Sequence, residues 1–275
     1  MPELPEVEQY RRLAAKSLEG KRFADIEVEN DRLVVPSACR VRSLKGHLVK
    51  KVERFGKHLV LRVDGGRDLW IHFGMYGRLF RKEVPKHRWP PKFRKVLFRV
   101  GSSELSVADG NRLARVRVAA AGDQPAFVPK GPDALTSPLA LQEFHNAVSS
   151  RSAAVKTVLM NQDVISGLGN WMCDEICYQA QVHPSHRADK LSEDETRRLH
   201  KAVNMVVKTS VRLNANYARF PKDWLFHARG GCAGKRKAPR DKKCRCVGGK
   251  LKGREVAWLC VGGRTTAYVP DIQRK

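Results

Sequence analysis

Apolar and polar positions change rhythm part-way along this chain. Over residues 6–18, Val7, Tyr10, Ala14 and Leu18 recur at helical spacing with Arg and Lys on the other face, which predicts an amphipathic helix. The rhythm then shortens. FADIEVE, HLVKKVE, HLVLRVD, DLWIHF, KVLFRV, ELSVA and LARVRV are short strand-like runs, several of them alternating, separated by Gly, Asp or Ser turns. Many short strands at this spacing predict a β-sandwich or barrel. Residues 124–138, QPAFVPKGPDALTSP, carry four prolines and read as a linker. Beyond them the helical period returns in LALQEFHNAV, AVKTVLM, NWMCDEICYQA and SEDETRRLHKAVNMVVKTSVRL. The expected class is α+β: a β-rich domain over 1–123 opened by a helix, the linker 124–138, and a helical domain over 139–228. No internal repeat is visible.

Charge narrows the partner. The 275 residues hold 53 Lys+Arg against 28 Asp+Glu, a formal net charge of +25. A field of that sign attracts polyanions, nucleic acid first, although a histone-like, ribosomal or membrane-surface protein is equally basic. At 42% hydrophobic residues the chain can still bury real cores. No apolar run approaches 18 residues, so no membrane span is expected, and the acidic, Pro-containing start lacks the pattern of a signal peptide. Seven cysteines at irregular spacing fit reduced thiols in an intracellular protein better than a disulfide framework.

The start, Met1-Pro2-Glu3-Leu4-Pro5-Glu6, carries the sharpest chemistry. With Met1 trimmed, Pro2 is a free secondary amine. An α-amino group titrates near about 8, so an appreciable share is neutral and nucleophilic at physiological pH. Such an amine attacks an aldehyde-like sugar carbon to form a Schiff base, and nearby acids move the protons; Glu3 and Glu6 are placed to do so. Taken alone, these residues equally well start a helix, with Pro5 in its first turn and acids at its positive end. The GLGN of Gly167 to Asn170 precedes a helix, where glycine-permitted turns and a helix end favour a phosphate; a plain cap by Asn170 explains it about as well. Lys57, in RFGKHLVL, reads as one more solvated lysine on composition alone. Met75 lies in a loop between Gly74 and Tyr76, where methionine is usually filler, yet enzymes that extrude a base often fill the gap with an apolar wedge.

MPELPEVE, Gly56-Lys57 before an apolar strand, HFGMYGRL from His72 to Leu79, and GLGN, in that order, resemble the formamidopyrimidine-DNA glycosylase and endonuclease VIII family of oxidative base-repair enzymes. The resemblance runs from Met1 to Gln273. It implies a two-layered β domain, a helical domain with a helix-two-turns-helix element, and duplex DNA in the cleft between them. It implies Pro2 as nucleophile, Glu3 as the acid that protonates the sugar ring oxygen, and Glu6 orienting water or supporting the helix start. Lys57 becomes a lysine reaching the lesion or a phosphate, Met75 the wedge, and Lys156, Asn170 and Arg264 the phosphate contacts. Arg112, in Asp109-Gly110-Asn111-Arg112-Leu113, matches an arginine that occupies the orphan partner's edge. Two positions depart from the pattern: Tyr76 is larger than usual, and Leu113 replaces an aromatic, which puts opposite-base preference in doubt.

The C-terminal part, 229–275, departs further. Cys232, Cys244, Cys246 and Cys260 contain no C-x-x-C pair, so the four-cysteine zinc finger of many relatives is not expected. The sequence after Cys260 resembles a zincless-finger branch known chiefly from plants and fungi, in which a β-hairpin forms without metal. The insert KRKAPRDKKCRC adds positive charge and reads as a basic arm, a nuclear-import signal or a solvated loop. Between Tyr217 and Trp224 the chain is short where relatives that hold 8-oxoguanine tightly carry a longer loop. The expectation is therefore a monomeric intracellular glycosylase and AP lyase, nuclear first with an organelle or a bacterial cytoplasm as the alternatives, needing no cofactor or metal. It would favour formamidopyrimidines, hydantoins and abasic sites over 8-oxoguanine. A non-catalytic sensor of damaged DNA is the competing class; Pro2, Glu3 and Lys57 together argue against it.

Overall fold

The computed structural model describes residues 1–82, 89–122, 124–229 and 249–274. Contacts divide the chain into two units, Met1–Val128 and Pro129–Lys275. The first opens with α1 (Leu4–Leu18), followed by β1 (Lys21–Arg22), β2 (Asp25–Val28), α2 (Ala38–Arg42), β3 (Leu48–Phe55), β4 (His58–Val63), β5 (Arg67–His72), β6 (Arg78–Arg81), β7 (Arg94–Val100), β8 (Ser103–Ala108) and β9 (Arg115–Ala120).

These strands form two antiparallel sheets, ordered β1-β3-β4-β5-β9 and β2-β7-β8-β6. The alternation along each run explains the layering. Inward residues such as Val49, Leu59, Leu69 and Ile71 of one sheet and Val96, Phe98, Leu105 and Val107 of the other share one buried core with Val7, Ala14 and Leu18 of α1. The apolar stripe of α1 is thereby covered, and burial of each such side chain contributes roughly 1.5–3 kcal/mol. Trp70, with Val60 and Val128, forms a smaller cluster, where Phe127 meets the Trp70 ring edge-on.

The second unit contains α3 (Leu141–Ser149), α4 (Val155–Met160), α5 (Asn170–Gln179), α6 (Glu193–Arg212) and α7 (Leu225–Ala228), then β10 (Lys250–Leu251), β11 (Arg254–Glu255), β12 (Ala257–Val261) and β13 (Arg264–Tyr268). Helix α5 is central: every residue from Trp171 to Cys177 is buried, consistent with its lack of a polar face. Helix α6 begins at a capping box, in which Ser192 Oγ accepts from Glu195 N at 3.2 Å and Glu195 Oε2 accepts from Ser192 N at 2.8 Å. Strands β12 and β13 form a hairpin paired from Ala257↔Tyr268 to Val261↔Arg264. The basic arm, with Cys232, Cys244 and Cys246, lies outside the described residues. Among the described residues no helix is long and apolar enough to cross a membrane.

Candidate functional site

In the first unit the helix start fixes the acids. Glu3 is the N-cap of α1, with extended dihedrals (φ −104°, ψ −172°), and Pro5 sits in the first turn. The backbone N–H of Glu3 donates to Glu6 Oε2 at 2.8 Å, satisfying a donor that a helix end would otherwise leave open. Glu3 is 2% exposed and Glu6 is also buried, while Pro2 ahead of them is half-buried. Two buried carboxyl side chains thus lie within four positions of the chain's second residue.

Lys57 occupies the two-residue turn between β3 and β4, where Gly56 takes φ +54°. It is only 8% exposed, unlike the solvated charge its residue type suggests. The turn is braced from α1. Arg54 Nε lies 3.3 Å from Glu8 Oε2, and Arg54 Nη1 donates to the Gly56 carbonyl at 2.8 Å. Burial pushes the Glu8 carboxyl up, but Arg11, Arg54 and Arg12 outweigh it and hold it below its ordinary value. The helix that begins at the acids is thereby tied to the turn that carries the lysine. Beside them, burial lowers His58 to about 3, and burial with the Lys57 charge lowers His72 to about 4. Both rings stay neutral. Neutral His72 accepts from the Gly74 N–H at 3.2 Å through Nδ1, which shapes the loop bearing Met75.

Met75 and Arg112 lie on two loops that touch. A Cβ at Gly74 would come within 2.5 Å of the Leu113 backbone, so only glycine fits there. Met75 and Tyr76 are both exposed. Asp109 organises the second loop, its carboxylate accepting from the N–H groups of Asn111, Leu113 and Ala114 at 2.7–2.9 Å. Arg112 has left-handed backbone (φ +58°), and its guanidinium forms a two-bond fork to Asp31 at 3.0 Å each. That bond, opposed by burial and aided by Lys95, holds Asp31 well below the usual carboxylate range. The fork engages Nε and Nη2 and leaves the other N–H donors of this half-exposed guanidinium outside it.

The second unit gathers Asn170, Lys156 and Arg264 around the β12–β13 hairpin. Gly169 is the N-cap of α5 and Asn170 its first residue, so the cap reading of Asn170 gives way. Its Nδ2 donates instead to the Thr265 carbonyl at 3.1 Å, leaving Oδ1 without a protein partner. Lys156 also corrects the expectation. Fully buried, its ammonium lies 2.6 Å from Asp174 Oδ1 and donates to Thr266 Oγ1 at 2.7 Å and Thr265 O at 3.2 Å. An ammonium committed to three internal groups holds the hairpin and is not placed to touch a phosphate. Arg264 emerges exposed after Gly262 and Gly263, whose positive φ values build the tight turn. The turn is seated on α4, since a Cβ at Gly262 would meet Thr157 Oγ1 at 2.6 Å.

Sequence reasoning missed Glu8, Arg54, Asp31, Asp109, His72, Asp174 and Gln162. Gln162 braces the turns before α5, donating to the carbonyls of Met160 and Leu168 at 2.7 and 2.8 Å and accepting from Gly167 N at 3.0 Å. A signal existed for Glu8, inside MPELPEVE itself. Asp109, His72 and Gln162 brace turns within a few residues of themselves, a role that many Asp, His and Gln residues fill without marking a site, whereas Arg54, Asp31 and Asp174 act across separations that only folding closes. Among the described residues no group of three or more His, Cys, Asp or Glu is arranged to hold a metal ion. Cys260 is exposed in the hairpin.

Comparison with known proteins places both parts of the chain in one family. Residues 1–116 match the model of the formamidopyrimidine-DNA glycosylase N-terminal domain, and residues 130–222 that of the formamidopyrimidine-DNA glycosylase H2TH domain. A formamidopyrimidine-DNA glycosylase of Arabidopsis thaliana is 32% identical over 291 residues, covering 100% of this chain and 71% of that protein. One from Heliobacterium modesticaldum is 29% identical over 293 residues and all of both chains. The fold is similar to that of the Lactococcus lactis formamidopyrimidine-DNA glycosylase bound non-covalently to DNA containing an AP site, with TM-score 0.82 and 23% identity over 100% of each chain.

Proposed function

Because the chain belongs to the formamidopyrimidine-DNA glycosylase and endonuclease VIII family, we propose that it is a bifunctional enzyme whose two steps run through Pro2. It is a DNA glycosylase of base excision repair. Removal of Met1 exposes the Pro2 nitrogen, which attacks C1′ of the damaged nucleotide as the C1′–N bond to the base breaks. Glu3 protonates the ring oxygen, the ring opens, and an iminium joins enzyme to DNA. Loss of a C2′ proton expels the 3′ phosphate, a second elimination expels the 5′ phosphate, and water releases the sugar fragment from Pro2. Glu6 supports the helix start through its bond to Glu3 N. Lys57 contacts the lesion or its phosphate, Met75 and Arg112 fill the gap and face the orphan base, and Asn170 and Arg264 grip the backbone. No organic cofactor or metal takes part in this scheme.

The observation that carries this reading is the pair of buried acids at the start of α1, immediately after Pro2. A sensor without catalysis would need Glu3 only as the cap of α1, a role that makes no use of a free Pro2 amine. The short Tyr217–Trp224 segment supports a preference for ring-opened formamidopyrimidines and hydantoins over 8-oxoguanine. The basic arm supports a nuclear location. Borohydride on an abasic duplex tests the mechanism: the trapped adduct should map to the peptide beginning at Pro2. An adduct on Lys57, or an active preparation retaining Met1, overturns it.

A further inference from the structure

Phe93 is out of place for a hydrophobic residue. It is 56% exposed, more than any other described large apolar side chain, and its backbone is left-handed at φ +61°. For a bulky residue that conformation is a true outlier costing on the order of 1–2 kcal/mol. Strain together with exposure persists only where the surroundings enforce it. Here the Asp109 N–H donates to the Phe93 carbonyl at 3.0 Å. The ring also lies over Gly110, where a Cβ would come 3.1 Å from it. Phe93 is thus tied at two points to the start of the turn that leads into Arg112.

Phe93 and Arg112 line one open concavity of about 630 Å³, with Pro90, Pro91, Arg94 and Lys95 on its walls, where Glu29 pairs Arg94 and Asp31 pairs both Lys95 and Arg112. The Lys92 ammonium lies 5.0 Å from the ring centroid. An aromatic ring and a planar guanidinium on one concavity are the combination that stacks on a nucleobase and bonds its edge. We propose that Phe93 is a specificity-determining residue that stacks on the base facing the lesion, next to Arg112. The proposal rests on the reading of this chain as a DNA glycosylase. It also gives a physical account of the aliphatic Leu113: the ring comes from the start of β7 instead of from the arginine's own loop.

The backbone strain makes the test discriminating. Glycine is at ease at φ +61°, so Phe93→Gly removes the ring while relieving the backbone, and Phe93→Asn does the same with a residue that tolerates this region. Binding is measured on a duplex holding a tetrahydrofuran abasic analogue opposite a cytosine, and on one whose opposite position also lacks a base. We expect Phe93→Gly to weaken binding roughly tenfold on the first duplex, within the range of one base–aromatic stack. It should change little on the second, and the melting temperature should not fall. Phe93→Trp should restore affinity. Unchanged affinity on the first duplex overturns the proposal, and so does an equal loss on both, which would make the ring a prop for the loop. Borohydride trapping of the unsubstituted protein is run alongside: its failure sinks the glycosylase mechanism, whereas its success with unchanged Phe93→Gly binding sinks only the role of Phe93.

Discussion

Both units use one device to different ends. In each, a buried ion pair sends its cation to a backbone carbonyl at a glycine-built hairpin. Glu8 and Arg54 hold Gly56, and Asp174 and Lys156 hold Thr265. In the first unit the clamped turn carries Lys57, which is itself nearly enclosed; in the second it carries Arg264, which is exposed. Groups proposed for chemistry are recessed, where a low dielectric strengthens their interactions, and a group proposed for grip stands in water, where a phosphate can reach it. Charge type alone does not separate these roles, since each unit has an inward and an outward cation.

Losing one anchor should cost the second unit most. Asp174 also takes Arg229 at 2.9 Å and the Ala267 N–H at 3.2 Å, so Asp174→Ala strands Lys156 inside the second unit. A loss of about 3–5 kcal/mol is expected, read as an earlier denaturant midpoint. Replacing both partners with Met and Leu should return much of it. A midpoint unmoved by Asp174→Ala would show that the pair anchors nothing.

Next in size is the recessed acid. Glu3→Gln keeps shape and hydrogen bonding but loses the transferable proton, so base excision should fall about 100-fold or more. Affinity for abasic DNA should hardly change. Equal loss of both would assign Glu3 to folding or docking.

The third contrast is in pH. Burial raises Glu175, in the second unit, from 4.5 to about 7. Between those values the folded state keeps a proton that the unfolded chain has released, so stability declines as pH rises. His58 and His72, in the first unit, stay neutral down to about 3 and about 4, while the unfolded chain gains protons below 6.5. Their contribution therefore declines as pH falls through that window. Moving from pH 7 to pH 5 should loosen the first unit and tighten the second, by at most about 1.4 kcal/mol per pH unit for each group. Hydrogen exchange corrected for intrinsic rates would resolve the two, and Glu175→Gln should flatten the second trend alone.

Most elements were legible in the sequence because periodicity and burial coincide. The run 192–213 became α6 within a residue at each end, and six of the seven strand-like runs map onto single strands, from β3 to β9. FADIEVE contributed only its middle, as β2. Helix α1 begins two residues before the expected 6, because the Glu6 side chain bonds the Glu3 N–H. Strand β6 escaped notice: RLFR is four residues long and lies at a sheet edge, too short to show alternation. The candidate residues could be named from motifs, but their settings could not. The burial of Lys156 depends on Asp174, 18 positions away, and on a hairpin more than 100 positions away. The fork on Arg112 likewise comes from Asp31, 81 positions earlier.

The Asp109 carboxylate, accepting from three backbone N–H groups, sets when the Arg112 loop loses its freedom. Fixing a residue's backbone costs roughly 1–2 kcal/mol in conformational entropy, and in this loop that cost falls on folding, before any DNA arrives. Binding then leaves only the Arg112 side chain to reorient, since the main chain that carries it is already in place.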